Sequence, residues 1–299
     1  MLGRLVITGA GGQLGGCLAA EALRQGRNVV ALTRADWDIT DPAAAEHLLK
    51  DCGSGDVVVN CAAYTNVDRA ESDESTAFAV NALGPQHLAR ACARVGAQLV
   101  HVSTDYVFSG DFGDASPRPY QPDDHTAPLN VYGRTKLAGE WAVLAALPDA
   151  VVVRTAWVYT GGTGTDFVAI MRRLAAGDGT VAVVDDQTGS PTYVADLAVA
   201  LLAVADTHVD AAYGPVMHIA NEGAVTRYQQ ACAVFEEVGA DPQRIRPVNS
   251  QYQPRPAIRP HYSALSSRLS SRSGVSPLRS WRSALRAALA AGTAAGATG

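Results

Sequence analysis

The chain has 299 residues, of which 47% are hydrophobic and 18% charged, and its formal net charge is −5. This composition is typical of a globular protein with room for one large α/β domain and a smaller lobe. No run approaches the ~18 consecutive apolar residues of a membrane-spanning helix. The first apolar run starts at Leu5, too close to Met1 for a secretion signal.

Strand and helix patterns alternate from the N-terminus to residue 155. The predicted strands are Leu5–Thr8, Asn28–Leu32, Asp56–Cys61, Gln98–Ser103 and Ala150–Arg154. The predicted helices are Gly12–Gln25, Asp41–Leu49, Glu74–Val95 and Val131–Leu147. This alternation predicts an α/β fold, a Rossmann-type doubly wound parallel sheet, in which residues 1–155 form a dinucleotide-binding domain. Ligands on such sheets bind beyond the carboxyl ends of the strands.

The pattern is less regular after residue 155. It predicts strands Val181–Val184 and Val216–Ile219, and helices Tyr193–Val204, Arg227–Val238 and Ser280–Ala290. We expect residues 156–291 to form mainly a smaller C-terminal α/β substrate-binding lobe, with some later segments returning to the first domain. The low-complexity residues 292–299 are predicted to be a disordered tail.

A glycine loop follows the first predicted strand and opens the first predicted helix. Gly9, Gly12 and Gly15 have G-x-x-G-x-x-G spacing. Glycines at these positions permit a tight turn and let the backbone approach a pyrophosphate at the positive end of the helix. The loop therefore predicts a dinucleotide site, the alternative being a plain turn.

The second predicted strand ends without an acid at its tip, where a carboxylate would hold the hydroxyls of a cofactor ribose. Arg34 stands there instead and could receive a 2′-phosphate, which favours NADPH over NADH. The alternative is a solvated arginine. Asp38 and Ile39 follow and could flank the adenine.

Tyr132 and Lys136 are predicted to carry out the catalytic chemistry. Lys136 is one of only two lysines in the chain, the other being Lys50, and it stands four residues after Tyr132 on a predicted helix. Positions i and i+4 share a helix face, so an ammonium there could lower the pKa of the phenol from about 10. Such a tyrosine could protonate a ketone oxygen while a nicotinamide delivers hydride, and Thr104, after the fourth strand, could hydrogen-bond the same oxygen. The alternative is a chance pair on an ordinary helix.

Charge and cysteine content add weaker signals. Residues 242–299 carry nine arginines and no acid, whereas residues 1–241 carry 29 acids and 15 bases. The basic region could meet an anionic ligand such as a nucleotide diphosphate, or could pack against the acidic remainder. The five cysteines include no Cys-x-x-Cys pair, so we expect reduced thiols, a cytoplasmic protein and no zinc site.

Six motifs spread along nearly the whole chain resemble a known enzyme family, the dTDP-4-dehydrorhamnose reductase branch of the extended short-chain dehydrogenase/reductases. The motifs are Gly11–Gly15, Val59–Asp68, Val102–Phe108, Ala127–Glu140, Arg154–Tyr159 and Asp186–Thr192. The resemblance implies reduction of the C4 ketone of dTDP-6-deoxy-L-lyxo-4-hexulose to dTDP-L-rhamnose by NADPH, with NADH as an alternative. That reaction is the final step of dTDP-L-rhamnose synthesis.

The resemblance also implies a role for individual residues. Tyr132 would be the proton donor, Lys136 its partner on the nicotinamide ribose, and Thr104 the residue that tunes the tyrosine. The substrate contacts would be Thr104, Asp105 and Trp157. The cofactor contacts would be Gly12, Gln13, Leu14, Asp38, Ile39, Ala62, Ala63 and Tyr64. The basic lobe could hold the nucleotide through Arg255 or Arg259.

Three further expectations concern partners and alternatives. Some relatives dimerise around magnesium held by acids, but Cys17 stands at one such position and residues 242–299 contain no carboxylate side chain, so we expect no metal. We expect a monomer or homodimer that binds neither nucleic acid nor a membrane. The alternatives to the reductase are an epimerase or dehydratase of the same superfamily, and a non-catalytic regulatory subunit.

Overall fold

The computed structural model of the protein describes residues 3–162, 164–207, 214–273 and 275–296. The strands are β1 Leu5–Thr8, β2 Val29–Leu32, β3 Val57–Asn60, β4 Gln98–Thr104, β5 Val151–Thr155, β6 Val158–Tyr159, β7 Val181–Val184, β8 Thr188–Gly189, β9 Thr192–Tyr193, β10 Val216–His218, β11 Val225–Thr226 and β12 Ile245–Val248. The α-helices are α1 Gln13–Arg24, α2 Pro42–Leu49, α3 Val67–Ala70, α4 Glu74–Phe78, α5 Gly84–Val95, α6 Val131–Ala146, α7 Phe167–Ala175, α8 Val194–Asp206, α9 Arg227–Glu237 and α10 Trp281–Gly296. A π-helical turn, Ala79–Leu83, joins α4 to α5.

Six strands form the central sheet in the order β10-β5-β4-β3-β1-β2, and every pair in it is parallel. The order reverses between β1 and β3, which is where doubly wound sheets bind ligands. Two apolar clusters cover the two faces. One lies between the sheet and helices α1 and α8, and the other between the sheet and helices α2, α5 and α6. The fold is therefore the predicted Rossmann-type doubly wound sheet.

A smaller α/β lobe is built from later residues around its own apolar cluster, which joins α7, α9 and α10 to the parallel pair β7 and β12. The strand β10 comes from the second half of the chain but pairs with β5 in the central sheet. The predicted division of the chain at residue 155 stays a prediction. Among the helices of the described residues, none is both long and apolar enough to cross a membrane.

The structure differs from the predicted elements in several places, among them the unpredicted short elements α3, β6, β8, β9 and β11. The predicted helix Glu74–Val95 is divided by the π-helical turn, and α7 and β12 were not predicted. The last helix continues to Gly296 rather than ending at Ala290. Disorder of the tail over residues 292–299 stays a prediction. The remaining tail residues, 297–299, lie outside the described residues.

Candidate active site

The loop between β1 and α1 is shaped by close backbone contacts. Gly9 has φ +71°, and a Cβ there would lie 2.6 Å from the backbone nitrogen of Ala62. A Cβ on Gly15 would lie 2.3 Å from the carbonyl oxygen of Gly9. Gly12 is the N-cap of α1 and offers no side-chain acceptor to the first turn, which begins at Gln13. The loop thus leaves the N–H groups at the start of a helix available to an anion such as a phosphate.

The predicted cofactor residues after β2 divide into exposed and buried ones. Arg34 and Asp38 are exposed. Hydrogen bonds from the following loop lower the pKa of the Asp38 carboxyl, and the nearby Arg34 adds to this effect. Ile39 is buried in the core, so its side chain is not presented to a ligand. The acid that does follow β2, Asp36, accepts two hydrogen bonds of 2.7 Å from Thr33 and is committed to its own loop.

The segment Ala62–Tyr64 follows β3 and is fixed by two asparagines. The backbone nitrogen of Ala62 donates to Asn60 Oδ1 at 3.1 Å, and that of Tyr64 donates to Asn81 Oδ1 at 2.8 Å. Asn81 is fully buried in the π-helical turn, and its Nδ2 donates to the Tyr64 carbonyl and to Thr135 Oγ1. Asn81 therefore links this segment to α6, the helix of the predicted tyrosine and lysine. Sequence reasoning missed it, although a lone asparagine in an apolar helix is a usable signal.

The side chain of Thr104 lies within hydrogen-bonding reach of the Tyr132 phenol. Burial raises the pKa of Tyr132 above its ordinary value, the charge of Asp105 acts in the same direction, and the bond with Thr104 opposes both. The ring of Tyr106 packs edge-on against Tyr132 with centroids 5.9 Å apart. The phenol is therefore a neutral acid at physiological pH.

Lys136 lies one turn along α6 from Tyr132 and is 2% exposed. Its Nζ donates to the backbone carbonyl of Val102 at 2.7 Å. The effect of this ammonium on the pKa of Tyr132 stays a prediction. Burial lowers the pKa of Lys136 to about 8, opposed by Glu140, which is itself buried in an ion pair of 2.7 Å with Arg154.

Asp105 is buried beside Thr104 at the end of β4. Its Oδ2 accepts a hydrogen bond of 2.5 Å from Ser263 Oγ, and its Oδ1 accepts one of 3.1 Å from Thr104 Oγ1. Burial raises the pKa of this carboxyl to about 6, and the two hydrogen bonds and the positive charge of Arg227 oppose that rise. No sequence pattern pointed to Ser263, because it is 158 residues away from Asp105 along the chain.

Trp157 follows β5 in a conformation that most residues avoid, with φ +46°. Its indole lies against Gly189, where a Cβ would come within 2.3 Å of the ring. Arg227 stacks on the indole, and its guanidinium carbon is 3.4 Å from the ring centroid. Arg227 was not predicted as a site residue, because nothing in the local sequence relates it to Trp157.

The two arginines that we expected to hold a nucleotide are already engaged. Arg259 forms a bidentate ion pair with Asp68, which also accepts from the backbone of Ala257. Arg255 lies 3.6 Å from the same carboxylate and is exposed. Asp68 therefore ties this segment of the C-terminal region to the segment after β3, and Arg259 is less free for a ligand than expected.

Direct contacts connect several of the predicted residues at the carboxyl ends of the strands. Gly9 lies against Ala62, and Lys136 donates to β4, which ends at Thr104, directly before Asp105. Thr104 lies beside Tyr132. Asp105 interacts electrostatically with Arg227, which stacks on Trp157. Leu14, on α1, packs at the edge of the core behind the glycine loop. Within the ranges described, no three His, Cys, Asp or Glu side chains are arranged to hold a metal ion.

Comparison with known proteins identifies relatives over nearly the whole chain. The family profile of the RmlD substrate binding domain matches residues 3–293. A dTDP-4-dehydrorhamnose reductase of Mycobacterium tuberculosis is 71% identical over 288 residues, covering 96% of this chain and 93% of the relative. A dTDP-4-dehydrorhamnose reductase of Mycolicibacterium smegmatis is 57% identical, covering 97% and 86% respectively.

Solved structures agree in fold. A dTDP-4-dehydrorhamnose reductase from Clostridium acetobutylicum superposes with a TM-score of 0.89 at 36% identity, covering 97% of this chain and 99% of the other. The Bacillus anthracis dTDP-4-dehydrorhamnose reductase, solved in complex with NADP, gives a TM-score of 0.87 at 34% identity, with coverages of 95% and 98%.

Proposed function

The chain belongs to the family of the RmlD substrate binding domain, and on that premise we propose that it reduces dTDP-6-deoxy-L-lyxo-4-hexulose to dTDP-L-rhamnose with NADPH. This reaction completes dTDP-L-rhamnose synthesis. The observation that carries the proposal is the half-buried phenol of Tyr132 beside Thr104, at the same edge of the sheet as the glycine loop that follows β1. A neutral acid beside a dinucleotide cradle is what carbonyl reduction requires.

The residues at the start of α1 fit the pyrophosphate of a dinucleotide. Side chains at Gly9 and Gly15 would fill the cradle, and Gly12 leaves the first turn of the helix uncapped. The exposed guanidinium of Arg34 suits a 2′-phosphate. This favours NADPH, which supplies hydride when bound.

Tyr132 is assigned as the acid. Burial keeps its phenol protonated, so that it can give its proton to the C4 oxygen of the substrate as that oxygen gains negative charge. Thr104 is assigned to hydrogen-bond the same oxygen, which orients the ketone and stabilises the developing charge. After the transfer, Tyr132 regains a proton from water.

Lys136 is assigned a charge-holding role. Its buried ammonium, one helical turn from Tyr132, would stabilise the phenolate that the proton transfer leaves behind. Its present partner, the carbonyl of Val102, is a neutral acceptor that a cofactor ribose hydroxyl can replace. Asn81, through Thr135, steadies α6 and the segment Ala62–Tyr64 together.

Asp105 and Trp157 are assigned to the substrate side of the crevice, with residues 156–291 as the lobe that covers it. We also propose that the enzyme works in the cytoplasm as a monomer or homodimer, without a metal. All five cysteines are free thiols, which supports a reducing compartment.

Product analysis tests this proposal against its alternatives. The purified protein is mixed with NADPH and dTDP-6-deoxy-L-lyxo-4-hexulose, nicotinamide absorbance is followed, and the sugar product is identified by NMR. We expect one NADPH oxidised per sugar and a product with the L-rhamnose configuration at C4. An epimerase or dehydratase would convert sugar without net oxidation of the cofactor, and a regulatory subunit would do neither; both results would contradict the proposal.

A further inference from the structure

Arg227 is half-buried and has no anionic partner among the residues that the structure describes. Its Nη1 donates to Gln230 Oε1 at 3.2 Å, and Gln230 is neutral. Among the described residues, no carboxylate forms an ion pair or hydrogen bond with this guanidinium. Burying a charge is costly unless it is paired, so an arginine kept in this state calls for a reason.

The surroundings of Arg227 make its charge more costly still. Arg227 is the first residue of α9, and the partial positive charge of a helix N-terminus disfavours a cation. Burial lowers the pKa of Arg227, and the nearby charges of Arg255 and Arg259 lower it further. The resulting pKa of Arg227 is about 10. Arg255 and Arg259 share a single carboxylate, that of Asp68. We call Arg227, Arg255 and Arg259 the arginine cluster.

The guanidinium is nevertheless held in a fixed plane. It stacks on Trp157 and also lies 4.9 Å from the ring of Phe167, measured from its Cζ to the ring centroid. Trp157 is in turn fixed by Gly189. A stacked guanidinium presents its N–H groups edge-on, which is the geometry that binds phosphate oxygens in pairs.

The position of Arg227 indicates which phosphate group it could bind. Its charge acts on Asp105 and Tyr106, which follow β4 next to Thr104. The uncapped start of α1, which suits the cofactor's pyrophosphate, follows β1. Because β3 lies between β1 and β4 in the sheet, the two anion-binding features belong to different parts of the crevice.

We propose that Arg227 binds the diphosphate of the sugar-nucleotide substrate and that Trp157 fixes the plane in which it does so. This inference rests on the proposed function, since it assigns the diphosphate to that reaction's substrate. The nucleotide would neutralise the charge that the protein leaves unpaired, and the arginine cluster would add long-range attraction. Arg227 is thus a substrate-positioning residue that determines the preference for nucleotide-linked sugars.

Calorimetric titration with three probes tests the inference: dTDP, thymidine and inorganic pyrophosphate. Each is titrated into the wild type, Arg227→Met, Arg227→Lys and the matched control Arg246→Met, which removes an exposed arginine of the same lobe. We expect Arg227→Met to weaken dTDP and pyrophosphate by about 10- to 100-fold, the effect of losing charge-assisted hydrogen bonds. Thymidine binding and the control variant should be unaffected. Arg227→Lys should be intermediate because it keeps the charge but not the planar fork.

Stability and turnover separate this role from a structural one. Removing an unpaired, half-buried charge should leave the thermal midpoint of Arg227→Met at or above that of the wild type. KM for the ketosugar should rise far more than kcat falls. A lower midpoint together with unchanged dTDP affinity would make Arg227 structural and overturn the inference.

The outcomes for the two proposals are distinguishable. A wild type that oxidises NADPH with the ketosugar while Arg227→Met keeps its KM would overturn this inference alone. A wild type that binds dTDP through Arg227 but never oxidises NADPH would overturn the proposed reaction alone. A wild type that binds neither dTDP nor pyrophosphate would overturn both.

Discussion

Substituting Gly15 by alanine is expected to deform the predicted cofactor cradle. The new Cβ would lie 2.3 Å from the carbonyl oxygen of Gly9 and 2.7 Å from its carbonyl carbon. Ordinary contact requires roughly 3.5 Å, so the backbone at Gly9 must retreat by about 1 Å. Gly9 cannot retreat freely, because it already lies against the backbone of Ala62.

The magnitude follows from two opposing effects. Overpacking of this kind costs about 1–3 kcal/mol, and alanine in a helix regains about 1 kcal/mol over glycine. The net loss of unfolding free energy is therefore expected to be about 0–2 kcal/mol. The N–H groups that face the pyrophosphate lose their alignment, and one hydrogen bond to a charged group lost there weakens NADPH binding by about 10- to 150-fold.

Gly16→Ala is the matched control, because a Cβ at Gly16 would lie 3.1 Å from the Ala10 carbonyl oxygen and needs only a small adjustment. The assay is a fluorescence titration of NADPH into each variant, with a thermal denaturation curve to establish folding. We expect Gly15→Ala to bind NADPH at least tenfold more weakly than Gly16→Ala. Equal affinities in the two folded variants would refute the placement of the cofactor at this loop.

Three further predictions use other parts of the structure. Burial lowers the pKa of Lys136 to about 8, so the unfolded chain holds this proton to higher pH than the folded chain does. The free energy of unfolding should therefore rise from pH 8 towards 10.5. Lys136→Met should remove that rise in denaturation curves. Breaking the buried pair of Arg154 and Glu140 with Arg154→Met should cost about 3–5 kcal/mol in urea denaturation, whereas Arg24→Met at an exposed pair should cost nothing measurable. Arg34→Ala should raise KM for NADPH at least tenfold and leave KM for NADH unchanged in steady-state assays, and an equal effect on both cofactors would count against a 2′-phosphate contact.

Local patterns predicted the central sheet closely, because each strand is a short apolar run bounded by polar or glycine residues. The strand Leu5–Thr8 was predicted with its observed ends. The helix over 74–95 was predicted as continuous because apolar spacing cannot reveal a π-helical turn, which here places Asn81 inward. The missed helix Phe167–Ala175 did have a signal, Asp166, whose carboxylate accepts from the backbone of Ala169.

The candidate site was predictable where its residues are neighbours in sequence or share a strand end. Thr104 and Tyr132 meet because β4 and α6 pack together, and Gly133 allows that approach, since a Cβ there would lie 2.2 Å from the carbonyl oxygen of Tyr106. Ser263 and Arg227 were not predictable, because contacts across more than a hundred residues depend on how the smaller lobe folds over the sheet.

The most direct test of the account is the rate of hydride transfer in Tyr132→Phe, measured in a single turnover with NADPH and dTDP-6-deoxy-L-lyxo-4-hexulose. Tyr252→Phe, which removes an exposed phenol, is the control. The account predicts a rate about 10²- to 10⁴-fold below the wild type, with NADPH affinity retained and the control unaffected. Hydride transfer at the wild-type rate in Tyr132→Phe would contradict the assignment of this phenol as the acid.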